Sequence, residues 1–481
     1  MLPRPGDLDA RVSSRLAYAY GALLALGLAY FLIRMPYQVS DDLEHILVMQ
    51  FQSYRGLVED SLTGDGSLRP LQWVQQKVLF QLAPAGAYWD TFKAFHALQL
   101  LVVVALFVRL LRIRAATDLI ALPLALAALV GMHTFNITMR EAYPVNHFMT
   151  ILVCCLAVAN LAMSRPAWWR DVAAVAILAY ALLTLETGLL VWVCMVAAYL
   201  ARWRGLSWKA LAAATCVLAA YLVVRFVVLD VGTRGLAAMS SGYGFSVRGT
   251  GDLEELFGDA PWTFYLYNIV SSVLTVLLSE PRAGVFQFTS FVVRGDVPPW
   301  SIVNVAVSAI GTAVIAVHIV RRIRALWRGE GLDESDGLLL IFVAVLGSNA
   351  VISYPYTKDV IVSPAGMFYA AALFTAVRSL VASPQVRPLA AVALLVPLLV
   401  LSAGWTLRAG GLVATMRDTA FVNRGDWAVA EDYLERNRPR WRDRHPDAEQ
   451  LFVALQDDVI RTPVPQLYET PRWTRRWFDP Y

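Results

Sequence analysis

Long apolar runs recur along the whole chain, separated by short charged segments. A helix that crosses a bilayer needs about 20 consecutive, mainly apolar residues. The runs 14–35, 92–113, 119–138, 144–164, 207–229, 300–320, 337–353, 364–382 and 388–408 fit that requirement. They are continuous rather than alternating, which predicts helices and excludes a β-barrel. The first run is too long for a signal-peptide core and lacks a small-residue cleavage site, so we read it as a retained first helix. The stretch 171–201 is basic at both flanks, with Arg165 and Arg170 before it and Arg202, Arg204 and Lys209 after it. Cytoplasmic loops collect Lys and Arg. Both ends therefore belong on one side, which favours two short helices turning near Glu186-Thr187-Gly188 over one long tilted helix. The run 262–279 breaks the parity: either it is re-entrant or interfacial, or 284–293 crosses as well. The total is roughly eleven to thirteen spans.

The same rule orients the chain. Arg109, Arg112 and Arg114 mark one cytoplasmic turn, Arg321, Arg322, Arg324 and Arg328 a second, and Arg378 and Arg387 a third. The N-terminus is then cytoplasmic, and loops 36–91, 139–143, 230–261 and 354–363 are outside. Two regions result: a transmembrane region 1–408 that includes the external loop 36–91, and a small extracytoplasmic region 409–481. The latter is rich in charge and tryptophan, with an expected helix at 426–437 and an expected strand at Leu451–Leu455.

Composition narrows the class. Of 481 residues, 58% are hydrophobic and 16% charged, against about 25% charge in soluble domains. That excludes an ordinary soluble enzyme and a disordered chain. The net charge of +4 gives no indication of nucleic acid. Cys154, Cys155, Cys194 and Cys216 all lie in apolar runs, without zinc spacing, and read as small core hydrophobes. The fold class is thus an all-α polytopic membrane protein. Its small Arg-rich inner loops fit a bacterial inner membrane, and the endoplasmic reticulum stays open as an alternative.

In such a protein the informative residues are ionisable groups at membrane depth or at its outer face. Ser40-Asp41-Asp42-Leu43-Glu44-His45 follows the first helix directly. If 41–50 is helical, Asp41, Asp42 and His45 share one side. Ser40 is a good N-cap and the acids suit a first turn. The sharper reading is a general base at the lipid–water boundary, with a divalent metal admitted by the acid–histidine set. Arg69 and Lys77 are outer cations that bind phosphate or neutralise Glu59, Asp60 and Asp65. Arg140 and Glu141 close the third span, followed by His147. Glu186 sits inside an apolar run, with Arg225 as its expected partner. Lys358 and Asp359 lie outside, and Ser363-Pro364 reads as cap and first residue of the next helix. There is no Walker A loop, Rossmann fingerprint or serine-nucleophile motif.

Together these features resemble the GT-C superfamily of integral membrane glycosyltransferases. The resemblance rests on Asp41-Asp42 and Arg69-Pro70-Leu71 in a large first external loop. It rests also on the turn Leu185-Glu186-Thr187-Gly188-Leu189 and on the late external run from Tyr356 to Tyr369. It covers most of 14–408. One departure is the Asp-Asp-Leu-Glu-His form of the first motif, which leaves open which acid is the base and whether a metal takes part. The resemblance implies a polyprenyl-phosphate-linked sugar donor and an extracytoplasmic acceptor on a glycan, lipid or protein. It implies Asp41 or Asp42 as general base, and Lys358 and Arg69 as ligands of the leaving lipid phosphate. Glu141, His147 and Glu186 would shape the acceptor side or the packing; His45, Arg140 and Asp359 join the expected substrate-binding set. Two other classes are a secondary transporter, which usually shows matched broken helices in its two halves, and a non-catalytic assembly or lipid-binding protein.

Overall fold

A computed structural model describes residues 5–33, 45, 48–50, 52–63, 68–84, 87–140, 145–230, 250–260, 262–278, 286–381 and 396–411, with positions 413, 435, 450, 453 and 454. Among these residues the protein is helical, with no β-strand. It is an all-α polytopic membrane protein: six of the described helices are long and apolar enough to cross a bilayer.

The first is α1 (Pro5–Ile33), which packs along α4 (Tyr88–Leu111). Between them α2 (Tyr54–Thr63) and α3 (Pro70–Leu82) form a helical pair. The expected span 119–138 is broken. Met132 is extended (φ −69, ψ 120) and separates α5 (Asp118–Gly131) from α6 (His133–Arg140). Next come α7 (His147–Ala162), α8 (Trp168–Leu182) and α9 (Leu189–Leu200).

Helices α8 and α9 are the expected hairpin. They turn through a single 3₁₀ turn, Glu186–Gly188. Their open ends are tied where Asp171 accepts from the Ser207 amide at 3.0 Å and its hydroxyl at 2.6 Å. The chain thus enters and leaves the hairpin at the same end. A Cβ on Gly188 would lie 2.4 Å from the carbonyl carbon and oxygen of Ala181. Backbone, unlike a flexible side chain, cannot move aside. Gly188→Ala is therefore expected to cost about 2 kcal/mol, in the range of core overpacking. It should show as a lower melting temperature in detergent; an unchanged one would mean that the turn is loose.

Helix α10 (Trp208–Val223) continues into a π turn, Val224–Val228, and lies at the periphery. Beyond it are α11 (Thr250–Phe257), α12 (Trp262–Leu277), α13 (Phe286–Arg294), α14 (Pro299–Trp327), α15 (Glu334–Ile352) and α16 (Ser363–Val381), then a helix over 396–411. Helix α13 has nine residues, about 14 Å at 1.5 Å per residue, too short to cross. In α12, Asn268 donates to the Tyr354 carbonyl (2.8 Å) and Ser272 meets Thr357 (3.0 Å), while Leu277 and Leu278 accept from Thr312 and Ser308 inside α14. It runs from the level of the 354–357 loop to part-way along α14.

Helix α16 is the centre: 94% of its apolar window is buried. Lipid tails are as apolar as leucine, so helices associate through close packing of small residues. Here Ala365, Gly366, Ala370, Ala371, Ala372 and Ala376 are all buried. A Cβ on Gly366 would lie 2.4 Å from Thr134 Oγ1, so α6 approaches almost to the backbone. The start of α16 corrects one expectation. Ser363 is helical (φ −59, ψ −34) and continues a 3₁₀ turn, Asp359–Val362, so it is not the cap.

Charges gather at the two ends of the bundle. At one, the basic end, Glu334 bonds Arg112 and Arg114, Asp118 meets Arg378 at 3.0 Å, and Asp336 meets Arg322 at 2.7 Å. Helix α15 begins there with a capping box between Asp333 and Asp336. Burial raises the Asp333 carboxyl, but hydrogen bonds from Ser335 and Asp336 and the nearby Arg322 hold it below its ordinary value. These are the segments whose arginines mark the expected cytoplasmic face. Cys154, Cys155 and Cys194 are buried, Cys216 is exposed, and all four are unpaired thiols. The expected tail helix 426–437 falls almost wholly outside the described residues. Of the expected strand, the two described residues, Val453 and Ala454, are helical.

Candidate functional site

The opposite end of the bundle carries most of the residues singled out in the sequence. Its anchor is the hairpin turn. Leu185 is extended and Glu186 opens the 3₁₀ turn, which points the carboxylate at two arginines from distant parts of the chain. Arg69 engages it in bidentate fashion, Nε to Oε1 at 3.0 Å and Nη2 to Oε2 at 2.6 Å. Arg225 donates from Nη1 to Oε1 at 2.8 Å and to the Tyr221 hydroxyl at 2.9 Å. The π turn at 224–228 is the local irregularity in α10 that contains this arginine.

Arg69 therefore departs from expectation. Its acid is neither Glu59, which pairs with Arg55 (2.7 Å), nor Asp60, which accepts from Gln52 (2.8 Å). Asp65 lies outside the described residues. The pairing docks α3 on the hairpin, helped by Leu71 N–H donating to Leu183 (3.0 Å) and Tyr180 donating to Gln75 (2.7 Å). Pro70 at the first helical position loses no hydrogen bond there.

Lys77 is corrected too. It is not an outer-surface cation: it is buried, donates to the Met49 carbonyl and lies 5.7 Å from the Phe80 ring centroid. Burial pushes its ammonium below the ordinary value. Gln72 and Gln76 of the same face are buried as well, as are Lys93, His96 and Gln99 on α4. Gln99 donates to Thr150 at 2.8 Å.

The expected residues form two groups. His45 packs on Trp73 with ring centroids 5.0 Å apart. His147 is buried at the start of α7, within electrostatic reach of Arg69, His45 and Glu186. Asn146 caps that helix, accepting from Met149 N–H (2.9 Å). Thus His45, Arg69, His147 and Glu186 belong to one assembly, which also holds Arg225. In the second group, Asp359 Oδ2 lies 2.9 Å from His133 Nε2, both residues buried, and Lys358 sits 5.1 Å from the Tyr356 ring centroid. The sequence reading missed His133, because it lies inside what looks like one continuous span. The helix break at Met132 is what turns it toward Asp359.

Asp41, Asp42 and Glu141 lie outside the described residues, and Arg140 is the last residue of α6. The described part of the expected helix 41–50, residues 45 and 48–50, is helical. Among the described residues no three His, Cys, Asp or Glu side chains are grouped to hold a metal ion.

The assembly can do two things chemically. Its arginines, tied to one carboxylate, hold the first loop over the hairpin. Its histidines supply ring nitrogens beside that carboxylate, and the second group adds the Lys358 ammonium. Compared with known proteins, the chain matches no family model, no curated protein and no solved structure.

Proposed function

We propose that the protein is a membrane glycosyltransferase of the GT-C kind. It moves a sugar from a polyprenyl-phosphate donor to an acceptor hydroxyl on a glycan, lipid or protein outside the cytoplasm. The observation that carries the reading is the bidentate Arg69–Glu186 pair, which spans 117 positions of sequence and fastens the helices of the first loop over the hairpin turn. That supports a loop held in a defined place, as a base delivered by the segment just before it requires. In this reading Asp41 or Asp42 takes the proton of the acceptor hydroxyl. The acceptor oxygen bonds to the anomeric carbon as the bond to the donor phosphate breaks, and polyprenyl phosphate leaves with the electron pair. Inversion follows from a single displacement. Lys358 is the phosphate cation. Arg69, engaged with Glu186, is a positioning residue.

The test incubates purified protein in nanodiscs with a panel of polyprenyl-phosphate sugars and candidate acceptors and follows free polyprenyl phosphate. Loss of the base should lower release at least about a hundredfold in one of Asp41→Asn and Asp42→Asn, with expression and melting temperature unchanged. If no donor is turned over and none shifts the melting temperature, the reading fails. A transporter reading draws on the broken helix α5–α6 and the short apolar α12. It predicts altered uptake in the same variants instead.

A further inference from the structure

At the basic end, far from the assembly around Glu186, α1, α4 and α7 enclose a pocket of about 300 Å³. Arg109, Arg112 and Arg114 line it, with Tyr18 of α1 and Asn160 and Ser164 from the end of α7. Glu334 is bonded to both Arg112 and Arg114. Arg109 pairs with no acid among the described residues. Asp118, whose carboxylate accepts from the Arg114 amide at 2.8 Å, is paired with Arg378, so among the described residues Glu334 is the one acid bonded to any of the three guanidinium groups.

Two further features indicate what it takes. Arg112 ends α4 in the left-handed conformation, φ 48 and ψ 61. Glycine is the ordinary residue there, since a side chain costs about 1 kcal/mol in that region. The guanidinium nonetheless crosses to the Met163 carbonyl at the end of α7. Arg112 thus lines the pocket from a backbone conformation that disfavours a side chain. Second, the pocket opens beside lipid. Tyr18 lines it while remaining 41% exposed, and the same helix exposes Val12, Leu16 and Leu23. Those positions lie on a helix long and apolar enough to cross a bilayer, which puts acyl chains beside the pocket mouth in that reading.

We infer that this pocket binds the phosphate headgroup of an anionic lipid, drawn laterally from the leaflet at the basic end. Basic pockets between membrane helices on the Lys/Arg-rich side suit such headgroups, and a volume of this size admits a phosphate diester with part of its alcohol. The site is independent of the proposed transferase reaction.

The test uses full-length protein in nanodiscs and measures retention of dioleoyl-phosphatidylglycerol against dioleoyl-phosphatidylcholine by native mass spectrometry. Wild type should favour the anionic lipid at least fivefold. Arg109→Gln should bring that preference close to parity, as loss of a charge-assisted bond does, and Arg109→Lys should restore part of it. Arg328→Gln, an exposed arginine at the same end, should change nothing. If Arg109→Gln does not fold, Tyr18→Phe reads the same site through one hydroxyl, with an expected threefold loss. Unchanged preference in the folded pocket variants, or an equal loss in Arg328→Gln, overturns the proposal. Displacement of the lipid by inorganic phosphate at equal concentration also overturns it, assigning the pocket to a soluble anion.

Discussion

Glu186→Gln is expected to destabilise the protein by about 3 kcal/mol and to loosen the first-loop helices from the hairpin. Removing one partner of a buried ion pair costs about 3–5 kcal/mol, because the remaining charge stays desolvated. The low end applies here, since the Glu186 side chain is 24% exposed and those of Arg69 and Arg225 31% and 14%. Two cations share this one carboxylate, so its loss leaves both without their acid. Glu186→Asp keeps the charge but shortens the reach, and should fall between. Arg69→Lys should not rescue, because a single ammonium cannot reproduce the forked contact. The readouts are denaturation in detergent and amide exchange. Exchange should quicken across 70–82, where the Leu71 amide is held by Leu183, and stay slow in α16. Normal stability with normal exchange would mean that the pair contributes nothing to placing the loop.

The second large effect is at the His133–Asp359 pair. Both side chains are buried, at 2% and 7% exposure, deeper than the Glu186 group. Asp359→Ala should cost about 3–5 kcal/mol, the range for breaking a buried pair. Asp359→Asn keeps the shape and one hydrogen-bonding oxygen, so its cost isolates the charge. If Asn is as damaging as Ala, the pair is held by charge; if it is nearly neutral, by geometry. The pair joins α6 to the 3₁₀ turn that leads into α16. Its loss should therefore loosen the start of the central helix, seen as faster exchange at 359–366. An Asp359→Ala protein as stable as wild type would show that this contact is dispensable. In the transferase reading, the same variant should weaken donor binding through the neighbouring Lys358.

Much of this architecture was legible without coordinates. The hairpin is the clearest case. Basic flanks on both sides of 171–201 require both ends on one side, and a carboxylate in the middle of an apolar run suits a turn. The structure shows the turn at Glu186–Gly188 and Arg225 as a partner of that carboxylate. The capping box at Asp333–Asp336 was not read from the sequence, where the run 337–353 alone suggested a later start for that helix; the structure begins it at Glu334.

The limit lies in what lipid does to sequence pattern. Spanning helices must satisfy their backbone internally and present apolar side chains all round, so length and hydropathy of single runs are imposed by the bilayer alone. That is why the sequence by itself determined the helical class, the placement of most apolar runs and the sorting of charge to the ends. The same uniformity hides which helix is central, because lipid-facing and protein-facing residues are equally apolar. Only tertiary packing decided that α16, with its small residues, is enclosed while α1 and α10 face outward. Long-range charge pairing is hidden for a related reason. Arg69 has three acids nearby in sequence, yet its partner is Glu186, brought within 2.6 Å by the docking of α3 on the hairpin. The break at Met132, and with it the meeting of His133 and Asp359, belongs to the tertiary structure as well. Gly131 and the polar residues of His133–Arg140 mark the place only weakly in the sequence; what the break brings together is decided by packing against the turn at Asp359–Val362.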